Sequence, residues 1–360
     1  MKLRMMIAGG GTGGHLFPGI AVADAARRRD SGTAILFVGS ARGIEARVVP
    51  GSGFELELLP GAPLRGRGIA GKVGALGTLG AGIMRARAVV RRFRPDVVVG
   101  LGGYASAPAV VAGRLAGVPI VLLEQNAKPG MTTRLLGRFA DRVCVSFPDT
   151  VTGFAPGRAV VTGNPVRTFP TRAAASAESK AGVTIAIVGG SAGAHRLNDA
   201  GPALHAALAD VPNLRIIHQT GLAEEAAVRS AYAGAPNVDV RAFITDMGEV
   251  YATADLIVCR AGATTIAELA AQGLPAIFVP YPHAADDHQR ANAEALVRGG
   301  AARVVLDHQA TGGKLAEEIR DLLARPDQLV EMRKCMRQFA RPDAAERVLA
   351  VIDELVQGRR

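Results

Sequence analysis

Cysteine is scarce: Cys144, Cys259 and Cys335 are widely spaced, odd in number and lack any CxxC pair or metal-ligand neighbour. This excludes a disulfide framework and leaves reduced, buried thiols. No HxH, HExxH or DxD occurs, and the adjacent Asp286-Asp287 reads as loop and helix cap, so neither a metal nor a cofactor is expected. Aromatic residues are only 4% of the chain, and no RNA-binding or helix-turn-helix pattern is present. The formal charge of +10 therefore points away from nucleic acid and toward acidic lipid or a phosphate-bearing substrate. Long apolar runs are missing as well. The longest, Ala109 to Leu123, is broken by Arg114 and by the turn Gly117-Val118-Pro119, which excludes a membrane span. The apolar stretch after Lys2 and Arg4 is too short for a secretory signal, so a cytoplasmic protein is expected.

What is abundant is glycine in turns. Gly9-Gly10-Gly11-Thr12-Gly13-Gly14-His15 and Gly189-Gly190-Ser191-Ala192-Gly193-Ala194 each follow an apolar strand and precede an amphipathic stretch. Backbone N–H groups freed by such a turn, with the positive end of the next helix, form an anion site. Short Val/Ile/Leu-rich runs alternate with helical stretches through both halves, and 360 residues suit two domains. The reading is an α/β fold of two Rossmann-like domains, with parallel sheets facing across a cleft. The boundaries are 1–162, a connection at 163–182, a second domain at 183–340, and a closing helix at 341–360 expected to pack back on the first domain.

The first turn fits GxGxxG through Gly9, Gly11 and Gly14, yet the second strand ends Val38-Gly39-Ser40, without the acidic residue that holds a dinucleotide ribose. A P-loop is excluded because His15 and Leu16 replace its Lys and Ser/Thr. At a helix N-terminus the dipole disfavours imidazolium, which makes His15 a candidate general base or acceptor-binding group; a capping or packing histidine is the other reading. In the second half Arg260 follows a strand, small residues run to Thr265, and Glu268 lies on the helix beyond, where a carboxylate could accept both hydroxyls of a ribose. Asp287-His288-Gln289 and Asn292 add polar groups able to read sugar hydroxyls, or simply to begin a helix. His205, His218 and His308 read as structural.

Taken together, Gly10 to His15 with Phe17-Pro18-Gly19, Gly102-Gly103-Tyr104-Ala105-Ser106, Glu124-Gln125-Asn126, Gly163-Asn164-Pro165-Val166-Arg167, Gly189-Gly190-Ser191, Arg260 to Glu268 and Asp287-His288-Gln289 closely resemble the MurG family. The likeness runs in order over nearly the whole chain. It implies a GT-B fold and inverting transfer of GlcNAc from UDP-GlcNAc to the muramoyl 4-hydroxyl of an undecaprenyl-diphosphate-linked MurNAc-pentapeptide, lipid I to lipid II. By the same resemblance Phe243, Ile244 and Met247 would enclose uracil, and Glu268 the ribose. Gly190, Ser191, Arg167 and Thr265 would face the diphosphate, and Asn126, Ala263, His288 and Gln289 would surround GlcNAc. Thr12, Gly13, Gly14, Arg260 and Thr264 complete the donor set; Gly13, Gly14, His15, Gly103, Tyr104 and Ser106 form the acceptor set. Alternatives are another GT-B lipid glycosyltransferase, such as one acting on diacylglycerol, and a UDP-GlcNAc 2-epimerase.

From Leu64 to Pro95 there is no acidic residue, and basic side chains alternate with Ile69, Val73, Leu76, Leu79 and Ile83, with Lys72 among them. These read as facing an anionic membrane; the resemblance implies the same, with the protein peripheral on the cytoplasmic face of the cell membrane and other cell-wall proteins as partners. Gly68, Gly71, Gly74, Gly77 and Gly80 recur every third residue, which predicts a segment that is not a settled helix away from lipid.

Overall fold

The computed structural model describes residues 2–41, 43–60, 69–167, 182–190 and 193–358, the side chains of 69–76 excepted. The chain forms two compact units, residues 1–167 with 341–360, and residues 168–340. Gly163 to Arg167, read above as connection, thus count with unit 1; the remainder of that connection lies almost wholly outside the described residues.

Unit 1 contains β1 (Arg4–Ala8), α1 (Gly13–Arg29), β2 (Ala34–Ser40), α2 (Glu45–Gly51), β3 (Glu55–Leu59), α3 (Ile69–Phe93), β4 (Val97–Gly100), α4 (Gly103–Leu115), β5 (Ile120–Glu124), α5 (Met131–Leu136), β6 (Arg142–Val145) and β7 (Ala159–Val161). Its strands pair in parallel in the order β3-β2-β1-β4-β5-β6-β7. Central strands such as Val97–Gly100 are buried along their whole length, which is why they read as continuous apolar runs rather than alternating ones. The glycine-rich stretch does not stay irregular: from Ile69 onward it is α3, which packs along α4.

Unit 2 contains β8 (Thr184–Val188), α6 (His195–Ala207), β9 (Arg215–Gln219), α7 (Glu225–Ala231), β10 (Val238–Arg241), α8 (Met247–Thr253), β11 (Leu256–Cys259), α9 (Ala263–Gln272), β12 (Ala276–Phe278), α10 (His288–Arg298), β13 (Ala302–Val304), α11 (Gly312–Leu323) and α12 (Pro326–Gln338). Its parallel order, β10-β9-β8-β11-β12-β13, repeats that of the first sheet. In each unit the order reverses beside the first strand, and such switch points open a crevice at the carboxyl ends of the strands.

After Ala340 the chain returns to unit 1. There α13 (Ala344–Gln357) lies along α1, and Val348, Leu349 and Ile352 join the cluster built from Met5, Ile7, Leu16 and Val22. Both Nη atoms of Arg29 donate to Asp353, at 2.7 and 3.0 Å.

Beneath the second sheet, His218 is fully buried on β9. Its Nδ1 lies 2.8 Å from the Tyr232 hydroxyl, its Nε2 has no partner among the described residues, and burial lowers its pKa from 6.5 to about 4. The unfolded chain takes up this proton first, so the associated stability is complete above pH 6.5 and is lost as pH falls toward 4. It amounts to about 3 kcal/mol in all, with about 2 kcal/mol disappearing between pH 7 and 5. His218→Phe is expected to flatten that part of the pH dependence of the urea midpoint, since surface His195 titrates alike in both proteins. An equally steep decline in the variant would show that the proton goes elsewhere.

Candidate functional site

Each switch point carries its glycine turn. Gly11 and Gly190 both adopt φ of +86°, a conformation that favours glycine, and among the described residues, the chain neighbours apart, neither has an atom within 4 Å of where a Cβ would stand. The two turns differ in what they hold. Gly11 N donates to Oε2 of Glu45 at 2.8 Å, and Oε1 of the same carboxylate accepts from Ser40 N at 2.8 Å and Ser40 Oγ at 3.0 Å. Glu45 is fully buried, so the anion held by Gly11 is the protein's own. Of the N–H groups of this turn, that of Gly11 is thus already engaged. Thr12 and Gly14 remain exposed and Gly13 half-buried at the start of α1, whose first turn has no acidic residue.

His15 is half-buried in that first turn. Its Nδ1 lies 3.0 Å from Oε1 of Gln125, and its ring rests against the Gly102-Gly103 turn that starts α4. Gly103 and Tyr104 border this place and are half-buried. Ser106, read as an acceptor-binding residue, is fully buried and donates its hydroxyl to the Gly103 carbonyl at 3.0 Å. It shapes the turn and does not face solvent. Asn126 is set by buried Glu124, whose Oε1 accepts from Asn126 N at 3.0 Å and Nδ2 at 3.2 Å while Oε2 accepts from Gly130 N at 3.0 Å. Arg167 is exposed, with its guanidinium 5.2 Å from the centre of the Phe17 ring.

In unit 2, Ser191 and Ala192 lie outside the described residues. Glu268 on α9 is 6% exposed and accepts from the Tyr251 hydroxyl through Oε2 at 2.7 Å. The first turn of α9 carries Ala263, Thr264 and Thr265 and no acidic residue. Phe243 is 55% exposed, an uncovered ring suited to stacking on a base; Met247 is half-buried and Ile244 buried. Gln289 Oε1 accepts from Ala261 N at 3.2 Å and Tyr281 N at 3.0 Å, and neither bond engages its Nε2, which can therefore donate outward. His288 directs Nδ1 to the Ala285 carbonyl at 2.6 Å. It follows Asp286 and Asp287, both at left-handed φ of +55° and +56°, a strained pair of non-glycine residues of the kind found at binding loops. Asp287 holds the position before α10 without capping it by its side chain, contrary to the sequence expectation.

Arg260, read as part of the donor set, is braced by protein groups in this structure. Nη1 reaches Asp307 Oδ1 at 2.5 Å and the carbonyls of Val279 and Pro280 at 3.0 and 3.3 Å. That ion pair ties the end of β11 to a residue 47 positions later.

Of the membrane-facing set, the side chains of Ile69, Lys72, Val73 and Leu76 lie outside the described residues, while Leu79 and Ile83 are half-buried on α3. Met84 is 69% exposed on the same helix. Met131 and Leu135 are exposed on α5, which packs along α4, with Arg134 and Arg138 beside them. The sequence reading missed this second group because α5 is a single short helix, and which of its apolar residues face solvent is set only by the fold. Among the described residues no helix is long and apolar enough to cross a membrane.

Two family models match, the glycosyltransferase family 28 N-terminal domain over residues 5–145 and its C-terminal domain over residues 184–348. The chain is 45% identical to a UDP-N-acetylglucosamine–N-acetylmuramyl-(pentapeptide) pyrophosphoryl-undecaprenol N-acetylglucosamine transferase of Geobacter sulfurreducens, with 99% of each chain covered. The crystal structure of Acinetobacter baumannii MurG superimposes with a TM-score of 0.79 at 34% identity, over 98% of this chain and 99% of that one. A putative UDP-N-acetylglucosamine 2-epimerase from Listeria monocytogenes shares the fold, with a TM-score of 0.73 at 15% identity over 99% and 98%.

Proposed function

This chain belongs to the MurG family within glycosyltransferase family 28, and from that membership we propose that it transfers GlcNAc from UDP-GlcNAc to lipid I, forming lipid II of peptidoglycan. One observation carries the reading: the carboxyl ends of both sheets keep the residue types this reaction needs. His15 lies beside Gly102-Gly103 in unit 1, and Glu268, Gln289 and exposed Phe243 belong to unit 2. Phe243 and Met247 serve the uracil, Glu268 the ribose, Thr265 and the N–H groups around Gly190 and Ser191 the diphosphate, and Asn126, His288 and Gln289 the sugar.

The reaction is an inverting displacement. The muramoyl O–H gives its proton to His15, its oxygen forms the new bond to the anomeric carbon, and the bond from that carbon to the diphosphate breaks to release UDP. Negative charge grows on the leaving diphosphate, so oriented N–H donors and Arg167 stabilise the transition state more than the ground state. No step requires a divalent cation. Attachment to an anionic leaflet, on the cytoplasmic face, is supported by Met84, Met131 and Leu135 among exposed arginines, at about 1 kcal/mol per basic residue close to the surface.

The test is transfer of labelled GlcNAc from UDP-GlcNAc to a lipid I analogue, with and without chelator. A labelled lipid product formed equally in both is expected. Interconversion of the free nucleotide sugar without acceptor would replace the transferase by an epimerase, and loss of product on chelation would end the metal-free scheme.

A further inference from the structure

We propose that Gln125 is a positioning residue that holds His15 in the tautomer with its proton on Nδ1, leaving the Nε2 lone pair to receive the acceptor proton. The proposal rests on the reading of His15 as the base. Gln125 is 2% exposed at the end of β5. Its Nε2 lies 3.2 Å from the Leu101 carbonyl and 3.5 Å from that of Leu123. Two carbonyls on one side of the amide require its N–H₂ there, since a flipped amide would set oxygen against oxygen. The Oε1 atom therefore faces His15, and an oxygen 3.0 Å from Nδ1 can only accept. The imidazole must donate at Nδ1, so in the neutral ring Nε2 carries the lone pair. This is the opposite of the form that free histidine favours in water.

The other side of the ring fits the same assignment. A Cβ on Gly102 would lie 3.4 Å from Nδ1, whereas one on Gly103 would lie 4.0 Å from Nε2 and 3.7 Å from Cδ2. Gly103, at φ of +68°, thus leaves room beside Nε2 that any larger residue would reduce. The amide is anchored on backbone at the ends of two adjacent strands, so its direction is set by the sheet and not by the mobility of a surface side chain. As a neutral acceptor it orients the ring without pairing a negative charge with imidazolium, which separates it from a carboxylate partner. The muramoyl proton arrives at Nε2, the Nδ1 proton stays in place, and the ring returns to neutral when Nε2 releases its proton to solvent.

The experiment is long-range ¹⁵N–¹H correlation spectroscopy on the histidine-labelled full chain near pH 8, with His15→Ala assigning the signals. The wild-type His15 is expected to show a pyrrole-type Nδ1 and a pyridine-type Nε2, a pattern set in the folded wild type and independent of any variant. Gln125→Met, which keeps the side-chain length, is expected to move His15 toward the opposite tautomer and to lower kcat by roughly 10- to 100-fold, with the donor KM within about threefold. A wild-type ring protonated on Nε2, or a pattern unmoved in a folded Gln125→Met protein, overturns the proposal. Should His15→Ala keep full kcat while the tautomer responds to Gln125, the base reading falls and the orienting role of Gln125 stands.

Discussion

His15→Ala is expected to reduce kcat by about 100- to 10,000-fold, the range a well-placed general base supplies, while the donor KM changes little. The structure makes this a selective test. His15 is half-buried, touches the Gly102-Gly103 turn and bonds Gln125, and it contributes nothing to the apolar cluster below, where Leu16 and Ile20 point. Its removal should leave folding intact, so a fall in turnover would report chemistry. Residual activity is also expected, because stabilisation of the leaving diphosphate by N–H donors and Arg167 does not depend on the imidazole. Steady-state kinetics with a lipid I analogue, at saturating UDP-GlcNAc, checks the split between kcat and KM. A variant that turns over at the wild-type rate would take His15 out of the mechanism.

Glu268→Ala should act on the other parameter. Hydrogen bonds to a charged group contribute about 1.5–3 kcal/mol each, so losing the carboxylate should weaken UDP binding by roughly 10- to 150-fold. Glu268 is 6% exposed, and Tyr251 fixes one of its oxygens at 2.7 Å, so little freedom is lost when ribose binds and most of the interaction appears as affinity. Titration calorimetry with UDP alone isolates the effect from the acceptor. Unchanged UDP affinity would mean that the buried carboxylate serves Tyr251 and the packing of α8 on α9, with no part in holding the nucleotide.

The sequence made the repeated architecture legible because parallel strands buried on both faces read as unbroken apolar runs, and because strand, glycine turn and helix recur at Gly9 and Gly189. It misled over α3. Helix propensity counts each glycine as a loss, yet at Gly82, outside the three-residue repeat, a Cβ would stand 2.4 Å from the Pro60 carbonyl and 3.2 Å from Pro108 on α4, so its absence lets α3 lie against both, whereas at Gly77 and Gly80 a Cβ would meet no described atom within 4 Å. Packing outweighs propensity at Gly82. The braces of the site were illegible for another reason. Glu45 and Glu124 are buried carboxylates whose partners are mainly backbone N–H groups, and no pattern of side chains announces a bond to the main chain. The ion pair of Arg260 was hidden as well, because its partner, Asp307, is 47 positions away and is brought to it only by the fold. Gln125 stood in the quoted Glu124-Gln125-Asn126 motif without a role until its two carbonyl contacts fixed its direction.

The return of α13 to α1 has a consequence for synthesis on the ribosome. Val348, Leu349 and Ile352 complete a cluster that includes Met5, Ile7 and Leu16, made more than 300 residues earlier, and Val97, Val121 and Cys144, made more than 200 residues earlier. The leading half must therefore wait, one flank bare, while the whole of residues 168–340 is translated. Unit 2 is in effect a guest between two segments of its host, and the order in which the nascent polypeptide matures is set by its last helix.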